Sequence, residues 1–256
     1  MYYAYMINIK FLTQKKELLE FIEKPFPAKK ITPEWLKKMG SFHPSDIKID
    51  EMGDPLTTIK KCMPFNDART AGYFIPLPCD VYVERNPQLH IKWSSDQFEL
   101  IGMHHNWQFD EYPIPKGYET EVAFKWLNPW IIKTPKNWSC LYTHPIHFDE
   151  LPFQSLTGLV DTDKFPYPVN FPFLLKDDFE GLIPKGTPFI QVIPFKREKF
   201  VSTYSYDDGR YQKLWLKART VFFDRYKKFF RTPKEFLEGD VEKPKCPFAF
   251  LHNKKD

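Results

Sequence analysis

His144, His147 and Asp149, within Thr143-His144-Pro145-Ile146-His147-Phe148-Asp149-Glu150, are the densest set of metal-ligating side-chain types in the chain. Imidazole nitrogens and a carboxylate are the ligands of zinc and non-haem iron sites. If the segment runs as a strand, alternation puts His147 and Asp149 on one face. Pro145 and Pro152 point instead to a loop, where the same residues serve as ordinary polar groups, so both readings stand. The only later histidine that could complete a His-x-Asp site is His252. His104 and His105 are a poorer pair, because neighbours on a strand point to opposite faces. Ser94, Ser95, Ser139 and Ser155 sit in no nucleophile elbow, and no phosphate-binding or dinucleotide-binding glycine loop occurs. Cys62, Cys79, Cys140 and Cys246 are widely spaced without a Cys-x-x-Cys pair, which fits reduced thiols of a cytoplasmic protein. Cys79 and Cys140 are expected to be small core residues. Asp67 beside Arg69 reads as a turn with a local ion pair.

The elements that must position these groups are mostly strands. Twenty-four prolines against ten glycines, with 25 Phe, 13 Tyr and 7 Trp among 256 residues, favour short strands joined by rigid turns. Residues 1–12 alternate as a strand, helices are expected over 15–23 and 32–40, and ten short strands follow between Gly72 and Pro194. The expected fold is mainly β, a sandwich or distorted barrel over residues 57–200. Residues 1–56 form a strand-and-helix region before it, and residues 201–256 a carboxy-terminal amphipathic helix and irregular tail. That helix, Arg210 to Arg231, holds eight basic residues and one acid, Asp224. One basic helix is a weak signal for nucleic acid, and a solvated face of a helix packed on the β domain accounts for it. The formal charge of +4 demands neither nucleic acid nor a membrane, and no signal peptide or apolar run of spanning length is found.

Two resemblances follow from motifs. Lys61-Cys62-Met63-Pro64-Phe65-Asn66-Asp67-Ala68, Ala71-Gly72-Tyr73, Gly158-Leu159-Val160-Asp161-Thr162-Asp163 and Lys185-Gly186-Thr187-Pro188 resemble an uncharacterised family of phage and bacterial proteins. That likeness implies a phage origin and a place in the host cytoplasm, but no activity. The core also resembles the dUTPase and dCTP deaminase type of β-clip enzyme in motif order. Ala71-Gly72-Tyr73 is similar to that family's opening motif, with Phe74 where an Asp is expected. Thr134-Pro135-Lys136-Asn137-Trp138 is similar to its turn before the phosphate loop, Gly158 to Asp163 to its Gly-Val-Ile-Asp-x-Asp motif, and Lys185-Gly186 to Gln191 to its later strand.

The β-clip resemblance implies a homotrimer and a pocket drawing on Tyr73, Thr143, His144, Gly158, Asp163 and Gln191. It places Asp161 as the water-orienting carboxylate, with Mg²⁺ as the cofactor if nucleotides are hydrolysed. The rest of the catalytic set departs from the family. Thr143-His144 replace an Arg-Ser pair, Lys164 replaces the sugar-stacking Tyr, and no Gly-rich arm with its Arg is found. Pyrophosphate hydrolysis needs several cationic donors on the phosphates. The sequence therefore favours a non-catalytic phage accessory protein that binds a small ligand or a host or phage protein. The alternatives are a divergent hydrolase using Asp161 with Mg²⁺, a metal enzyme using His144, His147 and Asp149, and a structural component of the virion.

Overall fold

The computed structural model describes residues 6–44, 49, 56–120, 122–219 and 226–239. The chain is mainly β, its strands arranged in antiparallel sheets. In chain order they are β1 (Lys10–Leu12), β2 (Phe26–Pro27), β3 (Tyr73–Pro76), β4 (Val81–Glu84), β5 (His90–Trp93), β6 (Ile101–His104), β7 (Ala123–Trp126), β8 (Ile131–Lys133), β9 (Trp138–Thr143), β10 (Phe153–Ser155), β11 (Gly158–Val160), β12 (Phe171–Leu175), β13 (Gly181–Ile183) and β14 (Pro188–Lys196). The helices are α1 (Leu18–Phe21), α2 (Glu34–Lys38), α3 (Met63–Arg69) and α4 (Arg210–Arg219).

A five-stranded sheet, ordered β11-β9-β14-β3-β2, lies against a four-stranded sheet, ordered β10-β12-β7-β6. Aromatic side chains close the gap between them. Trp126 of β7 is stacked on Phe173 at 3.9 Å between ring centroids and meets Phe189 of β14 at 5.3 Å, while Tyr142 of β9 meets Phe171 of β12 at 4.9 Å. Each ring removes a large apolar area from water, and these aromatics are the centre of the core. A third sheet, β13-β4-β5, and the pair β1-β8 flank this sandwich. Alternation explains β4 directly, since Val81 and Val83 are buried while Tyr82 and Glu84 face water.

Strand β14 is the longest and the organising element, pairing with β3 through Pro188–Val192 and with β9 through Gln191–Lys196. Where the chain leaves α3 for β3 it passes so close to β14 that a Cβ on Gly72 would lie 1.9 Å from the Val192 carbonyl oxygen. Gly72 also has φ +72°, which only glycine adopts at no steric cost. The Ala-Gly-Tyr motif is thus explained by packing of backbone on backbone.

Three expectations change. The proposed carboxy-terminal helix is α-helical over Arg210–Arg219 and a π-turn over Tyr226–Phe230, with residues 220–225 outside the described residues. The expected packing of an apolar face of α4 on the β domain is not seen: Ala218 is buried, but Tyr211, Leu214, Trp215 and Leu216 are all exposed. Asp67 and Arg69, expected in a turn, lie instead on α3 (Met63–Arg69). Asp67 is bound not by Arg69 but by Arg231, at 2.8 Å from Nη2, and by Lys234. The helix turns the two side chains apart, because only residues three or four apart share a helix face. Residues 1–5 of the expected first strand, Cys246 and His252 lie outside the described residues.

Candidate functional site

The residues singled out from sequence fall mainly at the two ends of β9. At its amino-terminal end, Asn137 takes φ +68° in the turn that starts the strand. Ser139, buried, donates its hydroxyl to Asp161 at 2.7 Å. Arg197, just beyond β14, lies 2.9 Å from the same Asp161 oxygen and makes a two-pronged contact with Asp163. The Asn137 N–H also donates to Asp163 at 2.8 Å. Between the two carboxylates Thr162 points inward, where its hydroxyl meets that of Thr134 at 2.7 Å. The Asp-Thr-Asp segment therefore presents two acids to one guanidinium and buries the residue between them. Hydrogen bonds from Arg197 and from the Asn137 amide hold the Asp163 carboxyl down at about 2, and the Ser139 hydroxyl followed by Arg197 lowers that of Asp161.

This arrangement is an ion cluster in which one guanidinium serves both carboxylates. Mg²⁺ at Asp161 would have to displace or abut the Arg197 guanidinium, so the residues present do not fit the ion. Arg197 was not picked out from sequence, and Ser139 was weighed there only as a nucleophile. The Asp-x-Asp spacing was the available signal that a cation had to be nearby, but its identity depends on the β9–β14 register, which sets Arg197 opposite Asn137.

At the other end, Thr143 exchanges a hydroxyl hydrogen bond with Thr157 at 3.0 Å. His144 accepts the Ser155 N–H at Nδ1 (3.3 Å) and donates from Nε2 to the Phe148 carbonyl (3.2 Å), which fixes a neutral tautomer. Burial moves its pKa downward, in the direction that favours this form. With both nitrogens engaged, His144 has no lone pair for a metal. His147 sits in a loop at φ +66° with its ring flat on Phe65, 3.6 Å between centroids, and Asp149 is exposed. The metal trio His144, His147 and Asp149 is thus not assembled, and the strand that would have aligned the last two ends at Thr143. Pro145 cannot donate to a ladder. Among the described residues no three His, Cys, Asp or Glu side chains gather to hold a metal ion.

Of the six residues expected to line one pocket, strand register sets Gln191 opposite Thr143, Tyr73 opposite Val192 and Gly158 opposite Tyr142, with His144 next along the chain, whereas Asp163 lies with Asp161 at the other end of β9. Thr143 and Asp161 are separated by the four-residue span from Ser139 to Thr143 along β9, about 13 Å at the strand rise. Gln191 is fully buried and braces the fold. Its oxygen accepts the Ile146 N–H at 2.8 Å and its nitrogen donates to the carbonyls of Ala68, Arg69 and Ala71. Tyr73 lies beneath the carboxy-terminal segment, its hydroxyl donating to the Leu237 carbonyl at 3.1 Å and its ring edge-on to Phe236. Gly158 has open space around its Cβ position, so packing does not require glycine there.

A different feature is exposed. Phe200, Val201, Tyr204 and Tyr206 are 86–94% accessible and lead into α4, beside which Asp208, Arg210, Lys213, Leu214 and Lys217 line an open recess. Beyond α4, residues 226–239 return to the sandwich and are fastened by Asp67–Arg231, Tyr73–Leu237 and Lys30–Glu238. No helix among the described residues is long and apolar enough to cross a membrane. No family model matches the chain, and no curated protein matches it.

Proposed function

We propose that this is a non-catalytic phage accessory protein that binds a protein partner through residues 200–217, held out from a β sandwich and anchored behind by the 226–239 strap. The observation that carries this reading is the run of almost fully accessible Phe200, Val201, Tyr204 and Tyr206 next to α4. A contiguous apolar surface bordered by charge is a mark of an interaction site. The cations Arg210 and Lys213 of the recess suit a partner whose apolar patch has an acidic rim. Motif order supports a β-clip scaffold of the dUTPase type for the sandwich, and that kinship a homotrimer. The free thiols Cys79 and Cys140 are compatible with action in the host cytoplasm.

The reading is tested by placing a photo-crosslinking amino acid at Tyr206, and at exposed Glu99 as a control, and irradiating cells that make the protein. A discrete adduct from position 206, absent from position 99, supports it. An adduct whose mass is a multiple of this chain reassigns the segment to self-assembly, and no adduct rejects partner binding there.

A further inference from the structure

Arg69 is 7% exposed, yet no carboxylate pairs with it among the described residues. Its guanidinium has five N–H donors. Nη1 donates to the Ile31 carbonyl at 2.8 Å, while Nε is buried without a partner. A buried cation that lacks a counter-charge is costly, as is each buried donor left unmade.

A second orphan lies close by. His147 Nε2 is also buried without a partner. Phe65 links the two groups. Phe65, on which the His147 ring is stacked, precedes Arg69 by one turn of α3 and shares its helix face. Trp35 Nε1 donates to the His147 carbonyl at 3.1 Å, and Gln191 ties the neighbouring Ile146 amide to the Arg69 and Ala71 carbonyls. The loop thereby holds His147 at positive φ, a conformation that non-glycine residues keep only where their surroundings impose it. Burial lowers the His147 pKa most; the Asp149 carboxylate opposes that shift, and the charge of Arg69, near enough to act on the imidazole, adds a smaller lowering.

We propose that Arg69 and His147 form a binding site for a small oxyanion, a phosphoryl or carboxylate group, whose oxygens accept hydrogen bonds from the Arg69 Nε–H and from the Nε2–H of His147. The group supplies the missing counter-charge and satisfies both orphan donors at once. A water molecule could satisfy the donors but not the charge. This site uses none of the residues of the 200–217 surface and stands or falls separately from it.

The test is a side-chain ¹⁵N spectrum of the full chain, with the Arg69 Nε resonance assigned through its loss in Arg69→Lys. The protein is titrated with inorganic phosphate and, separately, with acetate, against chloride at matched ionic strength. The expected result is a saturable shift of Arg69 Nε and His147 Nε2 together with one oxyanion and not with chloride. The oxyanion that saturates at the lower concentration gives the chemical class. His147→Phe keeps the stack on Phe65 while removing the donor, and is expected to weaken binding by about tenfold or more. Shifts identical to those in chloride, or undiminished affinity in His147→Phe, overturn the site.

Discussion

Gly72 and Asp163 show two ways in which one residue is fixed by its surroundings. Replacing Gly72 by Ala puts a methyl into the Val192 carbonyl and forces an L residue to positive φ, so both strain and backbone displacement oppose it. We expect a loss of roughly 2–4 kcal/mol in urea unfolding, above the ordinary effect of a surface substitution. Asp163 acts through pH. Its folded pKa is depressed to about 2 by Arg197 and the Asn137 amide, so the unfolded chain binds the proton more tightly. The resulting stability is fully present above the unfolded carboxylate pKa of about 4 and is lost as pH falls through the folded value near 2. Asp163→Asn should therefore flatten part of the acid limb of a stability–pH curve between about pH 4 and 2. Asp67 and Asp161, lowered in the same direction, keep the remainder. An unchanged acid limb would show that the Arg197 cluster is not formed in solution.

At the scale of elements, what was legible was what alternation and turn chemistry encode. The ten strands between Gly72 and Pro194 all correspond to observed strands, with ends displaced by up to three residues. The strands that were missed, Phe26–Pro27, Phe153–Ser155 and Gly181–Ile183, are two or three residues long and too short to show a period. Helix α3 was hidden because Pro64 near its start reads as a turn residue, although proline suits a first helical turn. The site was less legible for a further reason. Asp161 and Asp163 are local in sequence, but Arg197, Gln191 and Arg231 reach their partners only through strand register and the return of the chain. The strap illustrates this. Asp67 on α3 is the anchor for Arg231 and Lys234, and its charge is nearly enclosed. Asp67→Asn should raise amide exchange across 226–239 by about tenfold or more while leaving the β sandwich protected, since a lost charged hydrogen bond costs roughly 1–3 kcal/mol locally. Arg231→Gln should give the same phenotype, and the double variant no more than either alone. Independent, additive effects would mean that the strap is held elsewhere.

For the molecule as a whole, the same chemistry has opposite meanings in two places. Aromatic residues hold the sandwich together, and aromatic residues are also what the chain leaves in water after β14. Trp126 is completely buried and touches Phe153, Phe173 and Phe189, residues drawn from both sheets. Truncating it removes contact across the interface that makes a sandwich of two sheets. Trp126→Ala should cost about 3–5 kcal/mol, the range for large aromatic truncations in cores. Tyr204 and Tyr206, each 94% exposed, contribute no such contact. Changing both to Ser should leave the denaturation midpoint within about 0.5 kcal/mol of the starting protein, while abolishing whatever association the segment mediates. The pair of measurements separates fold from function on physical grounds. Hydrophobic area buried within the chain appears in its unfolding free energy, whereas area reserved for another surface appears only in binding. If the tyrosine pair destabilised the isolated protein as Trp126→Ala does, the 200–217 segment would belong to the core in solution, and the partner-binding role would be lost with it.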